Sequence, residues 1–137
     1  MRTSLDQVFP ARPDRLCDIR KSVAAAAGAL GCPSDAIHDV VLAVDEACQN
    51  IIRHAYKGAD GDIRLQIGRD DHNLVIRLID DAPPVDVAKV CPRPLDELRP
   101  GGLGTHLMRS VMDEVAFLPP PPGAGNLLQL IKRIGDP

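Results

Sequence analysis

The stretch SDAIHDVVLAVDEACQNIIRHAY, residues 34–56, decides how the chain folds. Ile37, Val40, Val41, Val44, Cys48, Ile51, Ile52 and Ala55 recur at three- and four-residue spacing, the single apolar stripe of an amphipathic helix. Ser34 is a favourable N-cap with Asp35 in the first turn, and Gly58 stands just past the expected end near Tyr56. Glu46 and Asn50 lie four residues apart and therefore on one face, opposite the stripe, together with Asp39, Ala43 and His54. A solvated polar face accounts for such residues when nothing else is known. A carboxylate beside an amide oxygen also suits magnesium-dependent phosphoryl transfer, with the amide oxygen as a hard ligand and the carboxylate as base.

Upstream, residues 3–9 alternate apolar with polar as a half-buried strand does, and Pro10 and Pro13 end the pattern. Leu16, Ile19, Val23, Ala27 and Leu30 then predict a helix from Arg15 to Leu30, closed by Gly31. Downstream, Asp62 to Gly68 and Asn73 to Ile79 read as strands joined by the polar turn Arg69-Asp70-Asp71-His72. Periodicity disappears between Asp80 and Gly102, where Pro83, Pro84, Pro92, Pro94 and Pro100 interrupt any regular element. A loop of that length inside a compact domain is usually functional or disordered. Helical spacing returns with Leu103, Leu107, Met108 and Val111, followed by strands at Glu114 to Leu118 and Leu127 to Ile134 across a Pro-rich turn. The order β, α, α, β, β, loop, α, β, β predicts a single α+β domain over residues 1–137, a two-layer sandwich with helices on one face of a mixed sheet.

Composition narrows the function. The net charge is −3 and the pI about 5.7, which lacks the basic footprint of a nucleic-acid-binding surface, so no direct nucleic-acid partner is expected. With aromatics at only 2%, the core has to be aliphatic. Cys17, Cys32, Cys48 and Cys91 form no Cys-x-x-Cys pair, and buried reduced thiols are the simpler expectation over a zinc or redox site. The sequence has no signal-peptide core and no stretch of membrane-spanning length, so a cytoplasmic protein without a membrane partner is expected.

Two further motifs carry chemistry. Gly101-Gly102-Leu103-Gly104-Thr105 stands where the loop meets a helix, and glycines there let backbone amides approach a phosphate at the positive end of the helix dipole. The cluster lacks the Lys-Ser/Thr of a P-loop, and a hinge uses the same residues. Asp80-Asp81 follows the apolar strand Leu74 to Ile79. A carboxylate at a buried strand end can accept a hydrogen bond from an exocyclic amine, although Asp is also common at any strand-to-turn junction.

Taken in order, Glu46-Ala-Cys-Gln-Asn50 with His54-Ala-Tyr56, then Asp80, then Gly102-Leu-Gly104 resemble the Bergerat-type ATP-binding fold of histidine kinases, gyrase and MutL, the GHKL superfamily. Within it, Asp45 to Asn50, Gly101 to Met108 and Met112-Asp-Glu-Val115 resemble the anti-sigma-factor serine/threonine kinases of bacterial partner-switching systems, from about residue 5 to residue 134. The resemblance implies ATP and Mg2+ as cofactors, Asn50 as the Mg2+ ligand, Glu46 as general base toward a substrate serine, and Asp80 as acceptor for the adenine amine. It further implies that Gly101, Gly102, Leu103, Gly104 and Thr105 surround the phosphates, that Arg99 offers a counter-charge, and that residues 81–100 form an ATP lid. The partners it implies are an anti-anti-sigma STAS-domain protein, phosphorylated on Ser or Thr, and a sigma factor sequestered by a kinase homodimer.

Two positions depart from the family pattern. Ala82 stands where a glycine usually follows two residues after the adenine-binding Asp, and its methyl group is expected to crowd the base. Asn126-Leu127 stands where relatives often place a Thr, removing a hydroxyl contact. These departures motivate an alternative, a nucleotide-binding regulatory module without kinase activity. His54 and His106 have no second ligand at metal spacing and are expected at the surface or in caps.

Overall fold

The computed structural model describes residues 1–84 and 107–135. Strand β1 (Arg2–Pro10) leads through a 3-10 turn (Pro13–Arg15) into helices α1 (Leu16–Ala29) and α2 (Ser34–Asn50), the latter prolonged by a π-helical turn (Ile51–Ala55). Strands β2 (Asp62–Asp70) and β3 (Asn73–Asp80) form a hairpin; a helical segment at 107–111 precedes β4 (Glu114–Leu118) and β5 (Asn126–Arg133). The sheet order is β1-β2-β3-β5-β4.

The α+β two-layer arrangement agrees with the sequence reading, but the sheet is not mixed among the described residues: all four pairings are antiparallel. Connectivity explains this. Two successive helices return the chain to the end of the sheet where β1 finished, so β2 runs back against it. β3 and β4 do run the same way, as a helical crossover requires, yet β5 lies between them and opposes both.

Strand alternation builds the core. Ile63, Leu65 and Ile67 of β2, Leu74, Ile76 and Leu78 of β3, and Leu128 and Leu130 of β5 face Ile19, Val23 and Ala27 of α1 and Val40, Val44, Ala47 and Cys48 of α2. Burial of each larger aliphatic side chain stabilises the fold by roughly 1.5–3 kcal/mol. The core is aliphatic, with Phe9 its one buried aromatic among the described residues.

Helix α1 ends as its sequence indicates. Gly31 takes φ of 83°, and the amides of Gly31 and Cys32 donate back to the carbonyls of Gly28 and Ala27, which satisfies carbonyls the helix end leaves open. The next open carbonyl, Leu30, accepts Arg69 Nη1 at 2.8 Å, and the same buried guanidinium donates to the carbonyls of Asp71 and Gly135. A cation at this place also complements the negative end of the α1 dipole.

Local boundaries differ from expectation in two places. Ser34 is the first helical residue of α2 and not its cap: the Pro33 carbonyl accepts the Ile37 amide, making Pro33 the N-cap without a side-chain bond. Asp35 Oδ1 instead accepts the neighbouring Ala36 amide. The β2–β3 turn is only Asp71-His72, because Arg69 and Asp70 pair with Leu74 and Asn73; Asp71 adopts φ of 58°, which Asp tolerates better than most residues.

Candidate functional site

Each position of the motif from Asp45 to Asn50 has its own task. Asp45 accepts Arg20 Nη1 at 2.9 Å and Gln49 Nε2 at 2.7 Å, and Arg53 donates to Gln49, so this side of α2 is fastened to α1. Ala47 and Cys48 enter the core, where burial pushes the Cys48 thiol up to about 12 and leaves it a protonated apolar filler. Half-buried Glu46 and Asn50 remain, and neither has a hydrogen bond or ion pair among the described residues.

The line Asp39–Ala43–Glu46–Asn50 is not a solvated face. Ala43 is fully buried, and Asp39 accepts Lys132 Nζ from β5 at 3.2 Å, while the same ammonium donates to the Val111 carbonyl at 2.6 Å. Helix rise and strand rise then fix the direction. From Asp39 to Asn50 the helix advances roughly 16 Å, and from Lys132 back to Asn126 the strand covers roughly 20 Å. The Asn50 end of α2 is thereby carried toward the end of the sheet where β5 begins and β3 finishes.

At that end, Asp80 and Asn126 face each other. They are paired in the β3–β5 register, one step beyond Leu78↔Leu128 and Ile76↔Leu130, and Ile63 pairs with Asp80 from the other side. Side-chain alternation puts Asp80 and Asn126 on the helix-covered face, where they are 4% and 5% exposed. Asn126 Nδ2 donates to Asp80 Oδ1 at 2.9 Å, and the Ala82 amide donates to the same oxygen at 3.0 Å. Oδ2 of Asp80 receives no hydrogen bond from the described residues. Burial raises the Asp80 pKa, the Asn126 and Ala82 hydrogen bonds oppose the rise, and the nearby Asp81 adds to it.

Tyr56 joins the two halves. The chain leaves α2 through the π turn, in which the Tyr56 amide donates to the Ile51 carbonyl at 2.9 Å; such turns recur at functional sites. The Tyr56 hydroxyl donates to the Asp62 carbonyl at 2.6 Å and accepts the Asp81 amide at 2.9 Å. Gly61 leaves space for the ring, since a Cβ there would sit 2.3 Å from it. Gly125 plays a similar part beside Asp80: its amide donates to the Asp80 carbonyl at 2.8 Å, and a Cβ would lie 1.8 Å from the Ala82 carbonyl oxygen.

The arrangement can therefore offer an acceptor oxygen at a buried strand end and an unpaired amide and carboxylate on the adjoining helix. An exocyclic amine fits the open oxygen of Asp80. Among the described residues no three His, Cys, Asp or Glu converge as a metal cage. Mg2+ keeps several waters and binds through few protein groups together with substrate phosphates, a shell to which Asn50 would contribute one amide oxygen.

Arg99, Gly101, Gly102, Leu103, Gly104, Thr105 and His106, and the lid beyond residue 84, lie outside the described residues, as does Cys91. Ala82 is buried at 2% exposure and fills a structural place through its amide. Asn126 does not simply remove a contact, as its sequence position suggested, because its amide reaches Asp80. Cys17 is exposed, contrary to the expectation of buried thiols, while Cys32 and Cys48 are buried. His54 is exposed as expected. Gly125 stands outside the sequence motifs, while Tyr56 closes one of them and owes its bonds to Asp62 and Asp81 to the fold; the parity of Asp80 with Leu78 and of Asn126 with Leu128 contains the signal that both face the helices. An open concavity of about 510 Å³ between β1 and α1, lined in part by Val8, Phe9, Arg15 and Lys21, shares no residue with these motifs.

Residues 9–132 match the family described as the Histidine kinase-like ATPase domain. The chain belongs to this family of GHKL domains. Within it the chain resembles Serine-protein kinase RsbW: it is 31% identical over 122 residues to the protein of that name from Bacillus cereus (strain AH820) and to the one from Bacillus anthracis (strain CDC 684 / NRRL 3495), covering 83% of this chain and 76% of each relative. Among solved structures, the RsbU and RsbW domains of Rv1364c from Mycobacterium tuberculosis superimpose with a TM-score of 0.64 at 17% identity, covering 96% of this chain and 33% of that one. The histidine kinase domain of the Erythrobacter litoralis EL346 blue-light activated histidine kinase gives 0.57 at 19% identity, covering 88% of this chain and 60% of that one. These two likenesses concern the fold. No helix of the described residues is long and apolar enough to cross a membrane.

Proposed function

We propose that this chain is an ATP-dependent anti-sigma factor and serine/threonine-protein kinase of the cytoplasm, which phosphorylates an anti-anti-sigma STAS-domain protein and, as a homodimer, sequesters a sigma factor. The observation that carries the reading is the joining of Asn50 and Glu46 to Asp80 through Tyr56, in a chain 31% identical to Serine-protein kinase RsbW. Asp80 would accept the adenine amine through Oδ2, and Asn50 would hold Mg2+ with ATP phosphates. Bound Mg2+ would supply charge neutralisation on those phosphates. Glu46 would take the proton of the substrate serine hydroxyl as its oxygen bonds to the γ-phosphorus and the bond to the ADP oxygen breaks. Arg99 and the segment Gly101, Gly102, Leu103, Gly104 and Thr105 would surround the phosphates, with Ala82 beside the base. Phosphoryl transfer rests mainly on such positioning and neutralisation.

The test is transfer of labelled phosphate from ATP to the cognate STAS-domain protein. Glu46→Ala should abolish transfer while ATP still binds; transfer unaffected by that substitution would place the base elsewhere, and no transfer from the unaltered protein to any partner contradicts the kinase reading. Ala82 favours a second reading, a nucleotide-binding regulatory module without kinase activity. Nucleotide-dependent partner affinity with no transfer by the unaltered protein would select it.

A further inference from the structure

We propose that Asn126 is a base-specificity residue, limiting Asp80 to one acceptor oxygen and so selecting adenine over guanine. This rests on the reading of Asp80 as the base acceptor. A carboxylate oxygen has two lone-pair directions. Those of Asp80 Oδ1 are taken by the Ala82 amide at 3.0 Å and Asn126 Nδ2 at 2.9 Å. The orientation of the Asn126 amide follows from its surroundings, because Nδ2 also lies 3.4 Å from the Ala82 carbonyl and 3.2 Å from the Pro83 carbonyl. Turning the amide over would set oxygen against three acceptors.

Asn126 has little freedom to leave. It is 5% exposed and held opposite Asp80 by strand pairing, and the preceding Gly125 amide bonds the Asp80 carbonyl. Oδ2 is then the oxygen a base can use. Adenine presents one amine donor beside an acceptor nitrogen at its Watson–Crick edge, which a single oxygen satisfies. Guanine presents two adjacent donors, N1–H and the 2-amino group, which match both oxygens of a free carboxylate. With Oδ1 filled, one guanine donor stays unpaired in a buried place, and sites discriminate strongly against a ligand that leaves such a group unsatisfied.

Calorimetric titration of the full chain with Mg-ATP and Mg-GTP, comparing wild type with Asn126→Ala, tests this. The wild type should prefer ATP, and the substitution should reduce that preference by about tenfold, the scale of one hydrogen bond to a charged group. Asn126→Ser, whose single hydroxyl fills Oδ1 less completely, should shift the ratio in the same direction by less, and it serves if the alanine variant fails to fold. Equal weakening of both nucleotides would assign Asn126 a structural role only and overturn the inference while leaving the function intact. Wild-type protein that binds neither nucleotide would overturn both.

Discussion

The Tyr56 hydroxyl accepts the Asp81 amide at 2.9 Å, so the end of the helix that carries Asn50 is fastened to the strand end that carries Asp80. In the proposed nucleotide site these two residues hold opposite ends of one ligand, and Tyr56 sets their separation. Tyr56→Phe keeps the ring against Gly61 but loses the bonds to Asp81 and Asp62. Thermal denaturation should show a loss of about 1–2 kcal/mol. In the kinase assay KM for ATP should rise with kcat nearly unchanged; a stability loss with KM unaltered would make the tyrosine purely structural.

Asp80→Asn should separate stability from function. The new carbonyl oxygen can still accept the Ala82 amide and the Asn126 amide, while the buried charge is gone. Because burial raises the folded pKa of Asp80 above its ordinary 3.8, the folded state binds this proton more readily than the unfolded state. Stability from this group therefore falls as pH rises between the two values, and the full penalty applies at neutral pH. The variant should melt higher than wild type at pH 7, with the difference shrinking toward pH 4. Its nucleotide affinity should vanish, since an NH2 group would then face the adenine amine. A lower melting temperature at pH 7 would contradict this account.

The same raised pKa predicts how wild-type affinity depends on acidity. Protonation at Oδ2 would remove the acceptor, so ATP affinity should fall as pH drops through the Asp80 pKa, which burial raises from the ordinary 3.8. Titrations from pH 8 to pH 4 with a nucleotide analogue would show the onset. Affinity that is flat until below the ordinary carboxylate value would place the binding group elsewhere.

Two glycines should respond in opposite ways to alanine. At Gly125 a Cβ would meet the Ala82 carbonyl at 1.8 Å and force the 80–84 segment off β5, a destabilisation of about 1–3 kcal/mol. Gly28, near the end of α1, has only Ile37 Cδ1 at 3.8 Å, so alanine there should stabilise by about 0.5–1 kcal/mol. Urea denaturation of both variants checks the pair.

Arg69 is a structural counterpart. Arg69→Met retains length but strips a buried donor from the carbonyls of Leu30, Asp71 and Gly135. A loss of about 2–3 kcal/mol is expected in the same denaturation experiment.

Much of this was legible in the sequence because periodicity reports burial directly. The stripe from Ile37 to Ala55, the α1 spacing closed by Gly31, and the β2–β3 hairpin each lie within a few residues of where their patterns put them. Sheet neighbours were less legible: nothing in local pattern says that β5 inserts between β3 and β4, which is why a mixed sheet was expected. The polar line of α2 was misread at Ala43 and Asp39, since a small residue and a carboxylate are silent about Lys132 ninety-three positions away. Tyr56 and Asn126 act through long-range contacts that no spacing encodes, and they shape the candidate site as much as the motif residues do.

Calorimetric titration of Mg-ATP into the unaltered chain and into Asn50→Ala and Asp80→Asn addresses the shared-ligand claim most directly. The account predicts saturable binding of one nucleotide per chain, lost or severely weakened by either substitution. Binding that survives Asp80→Asn unchanged, or that never occurs, would contradict it.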